Sequence, residues 1–134
     1  MTTPKAKLAG LALIAALCAG LMLGLTAPAW AGFDEAVAAY KRADYATALR
    51  EWRPLAEQGD ASAQSFLGIM YVEGLGVPQD YSKAHMWFNL AASRYPPGED
   101  RDRVVKNRDI IAKMMTPAQI SEAQKLAREW RPKK

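Results

Sequence analysis

The sequence predicts an all-α protein built from stacked antiparallel helix hairpins, and three observations support this prediction. Apolar residues recur at spacings of three and four through most of the chain after residue 32, as on one buried face of a helix. No apolar–polar alternation of useful length occurs, so strands are not expected. Residues 44–48 (DYATA) match residues 80–84 (DYSKA) at a spacing of 36, which indicates that a helical hairpin is repeated.

The first 31 residues have the layout of a secretory signal peptide. Lys5 and Lys7 form a basic head, an apolar run covers Leu8–Leu25, and small residues stand three and one positions before Gly32. We predict cleavage before Gly32, export to the periplasm or the medium, and no stable membrane insertion afterwards; an uncleaved anchor is the alternative. The one cysteine, Cys18, lies in this segment, so the remaining 103 residues must hold together by packing alone.

Composition and charge narrow the possible functions. Half of the residues are apolar and 24% are charged, as in an ordinary globular domain. Without the two lysines of the leader, 16 basic residues stand against 14 acidic ones, and a net charge of +2 argues against nucleic-acid binding. The charge is uneven, at −3 over residues 33–93 and +5 over residues 94–134. We interpret the basic end as a solvated surface, with an acidic partner or an anionic envelope surface as the alternative.

Six helical segments follow the leader and pair as three hairpins: Phe33–Ala43 with Tyr45–Gln58, Ala61–Val72 with Tyr81–Ser93, and Asp100–Met115 with a last helix that begins after Thr116 and ends before Pro132. Thr116 and Gln119 have the spacing of a capping box, which fixes the start of the last helix. The 36-residue register pairs Trp52 with Phe88, and both rings are expected in the core.

The second hairpin has a pattern of small residues in fixed register. Residues 59–71 (GDASAQSFLGIMY) and 74–84 (GLGVPQDYSKA) carry it, and Trp87 with the pair Ala91 and Ala92 completes it. This pattern resembles the Sel-one-like repeats, helical relatives of the tetratricopeptide repeat. The resemblance implies a repeat domain over residues 32–134: a partial repeat at 33–58, a full repeat at 59–93 and a C-terminal capping hairpin at 99–131.

The resemblance implies a non-catalytic scaffold or interaction module that binds a protein or peptide of the cell envelope. A hydrolase acting on the cell wall or on β-lactams is the alternative, because some exported members of the family are linked to such activities, although those members are cysteine-rich. The residues themselves supply no nucleophile with a base, and we interpret the only histidine, His85, as a core residue. We therefore predict no enzyme, no cofactor and no bound metal, and leave the oligomeric state open.

A partner is expected on the concave surface that the first helices of stacked hairpins line. Gln64, Gly68 and Tyr71 follow three- and four-residue spacing along one flank of their helix, so we predict that they bind the partner. Tyr40 is the equivalent candidate on the first hairpin. Trp87 is the fifth candidate, with packing against the third hairpin as its alternative.

Overall fold

The computed structural model describes residues 29–134, which form six α-helices and no strand. The helices are α1 (Ala29–Lys41), α2 (Tyr45–Gln58), α3 (Ala61–Glu73), α4 (Tyr81–Arg94), α5 (Glu99–Ala112) and α6 (Pro117–Glu129). The all-α prediction is confirmed over this range, and each helix end falls within four residues of its predicted position. The predicted signal peptide lies outside the described residues, apart from positions 29–31, which form the first turn of α1.

Short polar side chains fix where α2, α3, α4 and α6 begin. Asp44, Asp60 and Asp80 precede α2, α3 and α4, and each carboxylate accepts a hydrogen bond from the backbone N–H three residues later, at 3.3, 2.7 and 3.0 Å. Each bond satisfies an N–H group that has no partner within its own helix. At α6, the Thr116 hydroxyl accepts from the Gln119 N–H and the Gln119 amide oxygen accepts from the Thr116 N–H. The predicted capping box is therefore confirmed.

Two glycines end helices in conformations that other residues rarely adopt. Gly59 follows α2 with φ of 105°, and Gly74 follows α3 with φ of 67°. Both lie in the left-handed region, where glycine avoids the steric cost of a Cβ. Beyond Gly74, the Gln79 side-chain amide donates to the carbonyl of Val72 at 2.8 Å, which ties the loop back to the last turn of α3.

An aromatic cluster joins the first three helices. Trp52 of α2 is fully buried, and its ring stacks on that of Phe66 in α3 with centroids 4.2 Å apart and planes at 8°. Phe33 and Tyr40 of α1 close the cluster, with centroids 6.1 and 5.7 Å from Trp52. The prediction that Trp52 is a core residue is confirmed, and three helices lose packing if its ring is removed.

Helix α4 is central to the second half of the chain. It packs against α3, α5 and α6, whereas α5 and α6 each contact α4 more extensively than they contact each other. Phe88 is fully buried on this helix, as predicted, beside the buried alanines Ala84 and Ala91. The two helices of the predicted capping hairpin, residues 99–131, therefore both bury their apolar faces against α4.

Helix α6 connects the two halves of the core. Ala123 in the middle of this helix is buried in the cluster around Phe88, whereas Trp130 after its end packs against the first cluster through Trp87. The chain then returns to α2, where the Lys133 N–H donates to the carbonyl of Glu57 at 2.8 Å and the two side chains form an ion pair at 3.1 Å. The C-terminal residues thus tie the last helix to the first hairpin.

Candidate functional site

The residues that the sequence assigned to a partner-binding surface do not share one. Gln64 is fully buried, and its Nε2 donates to the carbonyl of Ala56 at 3.0 Å, which links α3 to α2. Its amide oxygen is also buried and has no hydrogen-bond partner among the residues the structure describes. The assignment of Gln64 to a binding surface is wrong, because a side chain without exposed area cannot contact a partner.

Gly68 is likewise a packing residue. A Cβ built on it would overlap the ring of Phe88 and lie 2.6 Å from its Cδ1 atom. The glycine therefore allows α4 to approach the backbone of α3, and the space above it is filled by a ring. The expectation that Gly68 leaves room for a bound peptide is wrong for this reason.

The three aromatic candidates differ in exposure. Trp87 is 7% exposed, and its ring meets that of Trp130 edge to face with centroids 6.5 Å apart. The alternative prediction for Trp87, packing against the third hairpin, is therefore confirmed, whereas its binding role is not. Tyr40 is half-buried, with its ring 5.6 Å from that of Tyr45. Tyr71 is half-buried too, and packs against both core clusters. A partner contact by Tyr40 or Tyr71 stays a prediction.

A groove between α3 and α5 is an unfilled, mainly apolar concave surface in the described part of the chain. Both helices pack on α4 and contact each other little, so a gap remains between them with the Phe88 ring as its floor. We call this the α3–α5 groove. Its first part, the apolar end, has a volume of about 200 Å³ and is lined by Ile69, Val72, Glu73, Phe88, Asn107, Ile110, Ile111 and Met114.

The groove continues towards the start of α5. A second cavity of about 200 Å³, the polar end, is lined by Ser65, Phe66, Ile69, Tyr95, Asp100, Arg103, Val104 and Asn107. Ile69 and Asn107 line both cavities, so the two adjoin along α5, and together they are called the channel. From Asp100 to Met114 that channel is roughly 20 Å long at 1.5 Å per helical residue.

Two large apolar side chains stand exposed at the apolar end. Ile110 is 47% exposed and Met114 is 54% exposed, while Ile111 and Met115 on the same segment are buried against α4. Large apolar side chains clustered at the mouth of a cavity are typical of a surface that binds another molecule. The sequence indicates this exposed surface by a second row of apolar residues along α5, beside the row that packs into the core.

The sequence-based prediction of which flank of α3 is free is wrong by about one residue of helical rotation. The flank with Gln64 and Gly68 faces α2 and α4, whereas the flank with Ser65 and Ile69 faces the groove. Successive helical residues differ by about 100°, so adjacent positions can point to different neighbours. Periodicity defines both flanks, but only the neighbouring helices determine which one is covered.

The charges in the groove are arranged unevenly. At the polar end, Arg103 and Asp100 form an ion pair at 3.2 Å and compensate each other. At the apolar end, Glu73 is exposed and forms no ion pair with the residues described here. Its carboxylate is near Tyr40, whose pKa is raised first by burial, then by the negative charge of Glu73 and by Tyr45. Among the described residues that line the groove, Glu73 is thus the one charged side chain without an ion-pair partner.

His85 lies outside the groove, on α4. It is 5% exposed, and its Nδ1 atom is buried without a hydrogen-bond partner in the described range. Burial lowers the pKa of His85; the nearby Arg108 lowers it further, and Asp109 opposes them. The interpretation of His85 as a core residue is confirmed, although the hydrogen bond that usually accompanies such a residue is missing at Nδ1.

Helix pairs packed side by side, with a groove along their first helices, define a helical repeat protein. Residues 61–95, which contain α3, the following loop and α4, match the family model of the Sel1 repeat. The chain therefore carries a Sel1 repeat, a helical repeat of the tetratricopeptide type, and the resemblance found in the sequence is confirmed. No curated protein and no solved structure gives a significant match to the chain.

Two further findings concern residues 29–134. None of their helices is long and apolar enough to cross a membrane. Their histidine and carboxylate side chains do not gather in a group of three or more that could hold a metal ion.

We predict that Gly68→Ala lowers the free energy of unfolding by about 1–3 kcal/mol, because the added methyl group overpacks the contact with Phe88. Helix propensity alone would give a gain of about 1 kcal/mol, so the sign distinguishes the two effects. Urea denaturation measures the change. In a Phe88→Leu background the same substitution should cost less, and an equal cost in both backgrounds would contradict the contact.

The second prediction concerns pH. Because the pKa of His85 lies below its usual 6.5 in the folded protein, the unfolded chain binds more protons just below that pH. The free energy of unfolding should therefore fall as the pH drops below about 6.5. Denaturation at several pH values between about 5 and 7 tests this, and His85→Gln should flatten the dependence. A profile unchanged by His85→Gln would show that another group causes it.

Proposed function

We propose that the protein is an exported, non-catalytic interaction module whose α3–α5 groove binds a segment of a protein partner in the cell envelope. Sel1 repeats generally mediate protein–protein interactions. The observation that carries the proposal for this chain is the exposure of Ile110 and Met114 at the mouth of an apolar cavity that the core leaves unfilled.

The dimensions of the groove favour a polypeptide over a small molecule. Each cavity has a volume of about 200 Å³, below the roughly 300–1,000 Å³ of typical small-molecule sites. A channel of roughly 20 Å accommodates about six residues of extended chain at about 3.3 Å per residue. Asn107, at the middle of the channel, offers amide groups that can hydrogen-bond a peptide backbone.

Export and the absence of catalysis are supported by separate observations. The basic head, apolar run and small residues before Gly32 support export. A non-catalytic role agrees with the usual property of Sel1 repeat proteins. It also agrees with the surroundings of His85, whose Nδ1 makes no hydrogen bond to a serine or a carboxylate in the described chain. No observation favours the hydrolase alternative.

Photo-crosslinking tests the groove. A benzophenone amino acid in place of Met114 should form an adduct with a protein other than this chain, because the side chain stands exposed at the apolar end. Mass spectrometry should locate the adduct in a segment of the partner that contains a large apolar residue. Adding Ile110→Ser should reduce the yield, because it removes apolar contact area from the same site.

The matched control places the same probe at Glu122, which is exposed on α6 away from the groove. Equal adduct yields at the two positions would contradict the proposal, because they would indicate random collisions. An adduct made of two copies of this chain would contradict it as well, since the groove would then be a self-association surface.

Export is tested by expressing the full chain and sequencing the accumulated protein from its N-terminus. We expect the mature protein to begin at Gly32 and to fractionate outside the cytoplasm. A protein that keeps Met1 or the intact apolar run would make the export proposal wrong.

A further inference from the structure

The apolar end of the α3–α5 groove is specific enough to indicate the chemistry of what it binds. Its walls come from Ile69 and Val72 on α3, from Ile110 on α5 and from Met114 in the turn after α5, and the Phe88 ring lies at its base. Such a site excludes water from any apolar side chain that enters it. Its volume of about 200 Å³ suits one or two side chains, so we expect a large aliphatic or aromatic residue there.

Within residues 29–134, the only charged group that lines this end is Glu73. It is the last residue of α3, so its carboxylate stands where the helix dipole already gives a partial negative charge. In the described chain no basic residue of α5 pairs with it: Arg103 pairs with Asp100 at the polar end, and Lys106, like Lys113 just after the helix, lines neither cavity. A cation is therefore the group that this rim would stabilise.

The effect of Glu73 on a nearby aromatic side chain also supports a cationic ligand. Its negative charge contributes to the raised pKa of Tyr40, so the field of this carboxylate reaches α1 as well as the groove that Glu73 lines. Residues 33–93, which include α3, carry a net charge of −3. Residues 94–134, which include α5, carry a net charge of +5, so the negative charge at this end comes from the α3 side of the groove and from Glu73 in particular.

We propose that the bound segment carries a large apolar residue next to a lysine or arginine: the apolar side chain inserts between Ile110, Met114 and Phe88, and the cation pairs with Glu73. This inference rests on the proposed function, because it names the partner chemistry of the same groove. The apolar contact supplies most of the affinity, whereas the ion pair at the rim selects among apolar segments.

Selection of peptides from a phage-displayed library of random 12-residue sequences tests this chemistry. The bait is the purified protein in the form that accumulates in cells. We expect enriched peptides to pair a large apolar residue with an adjacent lysine or arginine. With Glu73→Lys as bait, the preference should change to an adjacent aspartate or glutamate, because the rim charge is reversed.

A matched variant distinguishes the effect of the charge at position 73 from the effect of the net charge of the protein. Glu122→Lys makes the same charge change on the exposed surface of α6, so its selected peptides should keep the basic residue. For one selected peptide, Glu73→Lys should weaken binding at least about fivefold at low salt, and the Glu122→Lys variant should change it less than about twofold. Thermal melting of each variant confirms that the fold is retained.

The outcomes distinguish the two proposals. If selected peptides are apolar, lose affinity with Met114→Ser and show no preference for a basic residue, the charge inference is wrong and the groove remains the binding site. If the selected peptides bind equally well to the Met114→Ser and Ile110→Ser variants, the groove is not the site, and the proposed function fails with the inference.

Discussion

The ring of Phe88 rests directly on the backbone of α3 at Gly68, and the rest of the arrangement depends on this contact. A side chain at position 68 would move α4 away from α3, and α4 is the helix on which α5 and α6 both pack. Small residues on α4, including the fully buried Ala84 and Ala91, allow similarly close approach on its other sides. Close packing of this kind makes even one added methylene costly.

The groove is a consequence of the same contact. Because α3 and α5 both bury their apolar faces against α4, they are held apart, and the Phe88 ring closes the gap only at its base. The walls are regular helices, and the loop after α3 is fixed by the hydrogen bond from Gln79 to Val72. A binding surface on such supports needs little ordering when a partner arrives, which lowers the entropic cost of association.

The C-terminal residues add a constraint that the repeat pattern does not contain. Trp130 lies edge to face against Trp87, and the guanidinium of Arg94 stands 5.0 Å from the centre of its ring. Lys133 then bonds to Glu57 at the end of α2. The exposed ion pair contributes at most about 1 kcal/mol to the free energy of unfolding, so the contact between Trp130 and the buried Trp87 contributes more. With no cysteine after Cys18, these contacts join the C-terminal residues to α4 and to the first hairpin without a disulfide.

The sequence by itself determined the helices and their ends, because those depend on nearby residues. Asp60 caps α3 and Gly74 ends it through contacts within a few positions along the chain, and the same holds for the capping box at Thr116. The tertiary structure alone decided which flank of α3 is free. The flank carrying Gln64 is covered by α2 and α4 while that of Ile69 is open, because burial depends on distant helices whose positions helical periodicity does not encode.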